Sequence, residues 1–141
     1  MERVLVLSFF AALGQRLVAL NALDAALPTV LVSGSSMNWL FVHKNFPSQY
    51  VHVARYLAAA GHRVVFITRQ RGLALRGVEK IEYRAPPLGG RPHPYLRYLT
   101  RAVANGQAVA AIGERLKKEG FTPDLVAGHP GWGEILFLKE V

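Results

Sequence analysis

The chain contains no cysteine among its 141 residues. Disulfide bonds, thiolate metal sites and cysteine nucleophiles are therefore excluded, and the composition fits a reducing compartment. The sequence also lacks an apolar run of the roughly 18–20 residues that a helix needs to span a bilayer. Hydrophobic residues make up 51% of the chain, so we expect a single domain with a sizeable core.

Acidic residues are scarce. The chain has 9 Asp and Glu against 17 Lys and Arg, which gives a formal net charge of +8. This excess indicates an anionic partner, for which nucleic acid, a membrane surface and a phosphorylated small molecule are the candidate classes. The basic residues are spread along the chain, and no stretch matches an aromatic RNA-reading box or a zinc finger. We therefore expect no specific recognition of nucleic acid.

Residues 1–36 differ in character from the rest, with apolar stretches at 4–13, 17–20 and 25–32. Three interpretations stay open: upstream translation with Met37 as the native start, an added helix, and a secretion signal. We treat 1–36 as an extra N-terminal segment and 37–141 as the folded domain. The last helical pattern of that domain has no capping residue, so we expect the domain to be incomplete at its C-terminus.

From Met37 onward, apolar segments alternate with helical patterns. The sequence predicts strands over residues 38–42, 63–68, 78–83 and 124–128, and helices over 49–60, 95–119 and 134–141. Residues 64–67 are apolar on both faces, as in a parallel strand that helices cover on both sides. Helical crossovers between such strands predict an α/β fold with a parallel sheet and right-handed connections.

Two local features of the predicted helices can be tested. The first helix should begin at the hydroxyl cap of Ser48, end at Gly61, and bury an apolar stripe that includes Val53. The second should bury a stripe that begins at Leu99, with Asn105-Gly106 as its weak point.

A loop that begins at His129 is the strongest candidate for a site. It follows the strand at 124–128 and reads His129-Pro130-Gly131-Trp132-Gly133-Glu134. Ligands of open parallel sheets bind at the carboxyl ends of the strands, and a helix start there favours anions. We predict that His129 contacts the ligand or handles a proton, that Gly131 and Gly133 let it approach the backbone, and that Trp132 stacks on it. Glu134 should lie in a first helical turn and stabilise the helix dipole.

A second loop of this kind follows the strand at 38–42. In it, Asn45, Ser48 and Gln49 supply neutral donors and acceptors, and Phe46-Pro47 stiffens the turn. His43 and Lys44 would add positive charge. The loop has no glycine, which argues against a nicotinamide-dependent oxidoreductase, and the sequence shows no metal-ligand spacing and no carboxylate pair.

Four segments together resemble family 4 glycosyltransferases, in the subgroup that opens with a His-x-Asn-Phe-Pro-Gly-Gln-Phe type loop. They are residues 37–50, 57–64, 93–96 and 127–134, which occur in the order and spacing of that subgroup. The resemblance covers residues 37–141 and none of 1–36. Ser48 stands where the subgroup usually has glycine.

The resemblance implies the N-terminal, acceptor-side half of a GT-B enzyme, whose two Rossmann-like domains face each other across a cleft. It implies a retaining hexosyltransferase that takes a sugar from a nucleotide-sugar donor, without metal or other cofactor. Site residues carry over to Asn45, Phe46, Pro47, Ser48 and Gln49, near the donor phosphates and the sugar, and to His129, which would contact the sugar as the catalytic residue.

The acceptor implied by the resemblance is a glycan or a lipid-linked molecule, handled in the cytoplasm at the inner face of the membrane with peripheral membrane contact. The family's second domain, with its Glu-x7-Glu motif, has no counterpart in these residues. We therefore expect the chain to be a fragment that is inactive alone. The alternative is a non-catalytic module of the same fold that binds anions or nucleic acid, for which a steep salt dependence is typical.

Overall fold

A parallel sheet forms the centre of the molecule. The computed structural model describes residues 35–141 and the backbone of residues 6–7. Within these residues the strands are β1 (Val6–Leu7), β2 (Asn38–Val42), β3 (Arg63–Thr68), β4 (Val78–Glu82) and β5 (Leu125–Gly128). Their order across the sheet is β1-β5-β2-β3-β4, and every neighbouring pair is parallel. Residues 1–5 and 8–34 of the predicted segment 1–36 lie outside the described part of the chain.

Two helices connect the strands. Helix α1 (Val51–Ala59) links β2 to β3 and follows a 3-10 turn at Ser48–Tyr50, whereas α2 (Arg97–Lys118) links β4 to β5 and follows a 3-10 turn at Pro94–Leu96. A third 3-10 turn, Pro130–Trp132, follows β5. No helix within the described residues is long and apolar enough to cross a membrane.

The helices cover opposite faces of the sheet, as predicted. Side chains alternate between faces along a strand, so Val64 and Phe66 of β3 pack with the buried residues of α1, and Val65 and Ile67 pack with those of α2. Both faces of β3 are thereby buried, which explains its unbroken apolar run. The predicted α/β fold with helices on both faces is confirmed.

The predicted helical stripes need two corrections. Val53 is 49% exposed and Leu99 is 60% exposed. In α1 the buried positions are Ala54 and Leu57, so Val53 lies at the edge of the stripe, and in α2 the buried positions begin only at Ala104. The first two turns of α2 therefore contribute no buried residue to the core.

The predicted cap of the first helix is also wrong, whereas the predicted long second helix is found. Ser48 makes no capping hydrogen bond; its backbone has a φ of 50°, in the left-handed region that favours glycine. Helix α2 runs unbroken through Asn105-Gly106. In contrast, Gly61 ends α1 with a φ of 86°, as predicted.

Residues 134–139 form successive turns in place of the predicted helix over 134–141. Their backbone bonds span three residues, as from the N–H of Leu136 to the carbonyl of Gly133 at 3.1 Å and from Glu140 to Phe137 at 3.2 Å. Gly133, at a φ of 84°, redirects the chain ahead of this segment, and Ile135 and Leu138 then pack on the α2-side core.

Candidate functional site

The two predicted loops lie side by side at the carboxyl edge of the sheet. Strands β2 and β5 are parallel neighbours, and Val42 is in register with Gly128. The next residues, His43 and His129, therefore leave the sheet together, and their ring centroids are 5.7 Å apart. This is the sheet edge at which parallel α/β folds bind ligands.

Three rings form the centre of this edge, and we call His43, His129 and Trp132 the ring cluster. His129 stacks on Trp132 with 4.5 Å between centroids, and His43 meets Trp132 edge-on at 5.4 Å. The ammonium of Lys44 lies 3.7 Å from the centroid of the Trp132 ring, within cation–π range. The loops thus contact each other through these side chains, and Lys44 contributes a positive charge at the edge.

His129 is held by its own loop. Its Nδ1 accepts a hydrogen bond from the Gly131 N–H at 3.0 Å, so the imidazole caps the turn Pro130–Trp132. In the neutral ring this bond places the proton on Nε2. Nε2 is therefore the atom through which the half-buried ring would meet a ligand. His93 caps the turn Pro94–Leu96 in the same way, through the N–H of Tyr95 at 3.4 Å.

His43 is buried and uncharged at neutral pH, contrary to its predicted role as a positive charge. Its Nδ1 lies 3.1 Å from the Asn45 N–H, which donates to the neutral ring. Burial lowers the pKa of His43 below its ordinary value; the Asn45 carbonyl and Glu134 oppose this effect, while His129 and Lys44 add to it. The side chain therefore joins the loops as a neutral ring.

This lowered pKa predicts an acid-dependent loss of stability. Around pH 6.5 the unfolded His43 binds more protons than the folded ring, so unfolding takes up protons and the free energy of unfolding falls as pH drops through this range. Each unit of lowering is worth about 1.4 kcal/mol. Urea titrations between pH 5 and 8 should show a shallower pH slope for His43→Gln than for the unaltered chain. His52→Gln, which removes an imidazole from the exposed face of α1, is the control; equal slopes for both variants would contradict this account.

Glu134 is the residue that the sequence prediction misplaced. It lies in a turn and is 1% exposed, where a position in a first helical turn that stabilises the helix dipole was predicted. The Tyr83 hydroxyl donates to its Oε1 at 2.7 Å, and Oε2 has no hydrogen-bond partner among the described residues. Burial raises the pKa of Tyr83 above its ordinary value, and the hydrogen bond and charge of Glu134 raise it further. This hydrogen bond joins the start of the 83–93 loop to the segment that follows the His129 loop.

Gly133 is packed against α2. A Cβ on Gly133 would lie 2.3–2.6 Å from backbone atoms of Ala102, and one on Gly106 would lie 2.7 Å from the Gly133 carbonyl. The Asn105 amide donates to the Trp132 carbonyl at 2.9 Å. Gly133 was predicted to let a ligand approach the backbone, but α2 occupies that space. The loop packs on α2 at Asn105-Gly106. Gly131, in contrast, is exposed.

In the first loop the predicted residues divide by burial. Asn45, Ser48 and Gln49 are exposed at the sheet edge, and Pro47 is half-buried. Phe46 is 3% exposed and meets Phe66 edge-on at 4.9 Å, so its side chain packs in the core and only its backbone is left for a ligand. The left-handed backbone of Ser48 accounts for the glycine that the resembling subgroup has here.

The comparison with protein families agrees with the resemblance. A family model described as a glycosyl transferase family 4 group matches residues 60–141, more than half of the chain. The chain therefore belongs to glycosyltransferase family 4, and the family identified from its sequence motifs is confirmed. The match includes the loop at 129–133. Comparison with curated proteins and with solved structures gave no match.

Proposed function

We propose that this chain is the acceptor-side part of a retaining hexosyltransferase, of the two-domain GT-B type, that moves a sugar from a nucleotide-sugar donor to a glycan or lipid-linked acceptor. The carrying observation is that His129 and the Asn45–Gln49 loop lie at the same carboxyl edge of the sheet, with the Lys44 ammonium over the Trp132 ring. The proposed setting is the cytoplasm at the inner membrane face, with no cofactor or metal.

The roles follow from the groups at that edge. His129 would use Nε2 to hydrogen-bond a sugar hydroxyl, because Nδ1 is bound to the Gly131 N–H. Asn45, Ser48 and Gln49 would supply hydrogen bonds to the sugar and the phosphates. The Lys44 ammonium would attract the negative charge of the donor and of the departing nucleotide. Trp132 would support His129 by stacking beneath its ring.

We further propose that the 141-residue chain alone binds a nucleotide-sugar weakly and does not turn it over. The resemblance assigns most nucleotide contacts to a second domain with a Glu-x7-Glu motif. No two glutamates of this chain are eight residues apart. The groups at the sheet edge would then supply contacts to the sugar and the phosphates but few to the rest of the nucleotide.

The test compares the 141-residue chain with the protein encoded when the reading frame is read past Val141. Both are assayed against a panel of nucleotide-sugars, with glycans and lipid-linked sugars as acceptors. We expect transfer only from the longer protein, with retention of the anomeric configuration by NMR. No transfer by either form, together with binding to any polyanion and a steep salt dependence, would favour the non-catalytic module.

A further inference from the structure

The chain exposes large apolar side chains next to arginines around the start of α2. We call this surface the basic-aromatic patch. It consists of Arg91, Tyr95, Leu96, Arg97, Tyr98 and Leu99. The exposed fractions are 90% for Tyr95 and 88% for Tyr98, and 53% and 60% for the two leucines. Adjacent exposed aromatic and aliphatic side chains of this kind mark interaction surfaces.

Neither local folding nor the core requires these side chains. Tyr95, Tyr98 and Leu99 follow the i, i+3, i+4 spacing of one helical face, yet the buried positions of α2 begin only at Ala104. Tyrosine is an amphipathic residue that favours the boundary between water and an apolar phase. The patch therefore has the composition of a surface that contacts such a boundary.

The charge around the patch is uncompensated. From residue 85 to residue 113 the sequence contains Arg91, Arg97 and Arg101 but no Asp or Glu. The ion pairs of residues 35–141 all lie elsewhere, at Arg63–Glu79, Lys80–Glu82 and Arg115–Glu119. A partner that matches the charge of this surface is consequently anionic.

An open groove of about 610 Å³ lies among these arginines. Its lining includes Arg91, Arg97 and Arg101 together with Tyr98. Arg101 also donates to the Pro86 carbonyl at 3.2 Å, which ties the 86–92 loop to α2. Three guanidinium groups around one groove, with a tyrosine ring beside them, suit the phosphate of a lipid headgroup.

We propose that the basic-aromatic patch docks the protein on an anionic phospholipid surface. Tyr95, Tyr98 and the leucines would enter the headgroup boundary, and the arginines would bind lipid phosphates. Leu96 and Leu99 favour this occupant over nucleic acid, because aliphatic side chains gain little from a sugar-phosphate backbone.

The patch lies close to the loop that carries His129. Ala102 and Asn105 of α2 contact the loop that carries His129, and Tyr98 and Leu99 lie one helical turn before Ala102, about 5 Å along the axis. A docked patch would hold the sheet edge close to the membrane surface. The inference that docking brings the sheet edge to a lipid-linked acceptor rests on the proposed function. The docking of the patch on a membrane does not depend on that function.

The test measures binding of the full chain to vesicles by flotation. We expect binding to vesicles of phosphatidylglycerol and phosphatidylcholine, and none to phosphatidylcholine alone. Because each arginine near an anionic surface contributes roughly fivefold in affinity, Arg91→Gln with Arg97→Gln should lower the partition coefficient by about 25-fold. Tyr95→Ser with Tyr98→Ser should lower it by a similar factor.

Matched controls lie on the opposite face of the sheet. Arg55→Gln with Arg76→Gln removes the same charge, and Tyr56→Ser removes an exposed ring from α1. Three results would overturn the proposal. They are equal losses of vesicle binding in patch and control variants, no vesicle binding by the unaltered chain, and full displacement of the chain from vesicles by a single-stranded oligonucleotide. Vesicle binding needs no donor. Docking of the chain, combined with no sugar transfer by the longer protein, would therefore refute the proposed function alone, and transfer by the longer protein without docking would refute the patch alone.

Discussion

Replacing Gly133 by alanine is expected to lower the free energy of unfolding by about 3–4 kcal/mol. Two costs add. An L-residue in the left-handed backbone at φ 84° loses about 1–2 kcal/mol, and the new methyl would lie within 2.3–2.6 Å of Ala102 backbone atoms, which must then shift. The loop that carries His129 and Trp132 would move away from α2. Urea denaturation followed by circular dichroism measures the loss.

Gly120 is the matched control for this prediction. It has nearly the same backbone, with a φ of 82°, but nothing lies within 4 Å of its added Cβ. Gly120→Ala should therefore cost only the conformational part, about 1–2 kcal/mol. The difference between the two variants isolates the packing of the loop on α2. Equal losses would mean that Gly133 does not approach α2 as closely as described.

The strands could be predicted because their signal is local. Residues 38–42 and 63–68 coincide with β2 and β3, since runs of apolar residues bounded by polar ones carry the pattern of a doubly covered strand. The shared edge of the two histidine loops then follows from parallel pairing alone. Knowing that β2 and β5 are neighbours in the sheet is enough to bring His43 and His129 together.

The misplaced features depend on contacts that are distant in sequence. Asn105-Gly106 looks like a weak point in a helix, but a loop 27 residues away packs on it and requires glycine there. Glu134 resembles a surface residue, because glutamates are seldom buried without a partner. Its partner is Tyr83, 51 residues earlier, and no spacing in the sequence indicates that pair. Leu99 likewise fits a buried stripe by its spacing, although it is 60% exposed and the buried positions of α2 begin only at Ala104.

Removal of the His129 imidazole is expected to lower kcat/KM for sugar transfer about 100-fold. This corresponds to a loss of about 2.7 kcal/mol of transition-state stabilisation. His129→Ala has a second effect, because the Gly131 N–H loses its acceptor at the start of the turn, at a cost of about 1 kcal/mol in stability. His129→Asn separates the two effects. Asparagine is a good capping residue, so it should retain the stability while losing the same activity.

The assay uses the form of the protein that turns over, with its preferred donor and a water-soluble acceptor. His93→Asn is the matched control, since His93 caps a turn of the same kind through the Tyr95 N–H and lies outside the ring cluster. We expect near-unaltered turnover from this variant. If His129→Asn also retained its turnover, Nε2 would make no contact that matters in the transition state, and the role of His129 would be confined to capping its own loop.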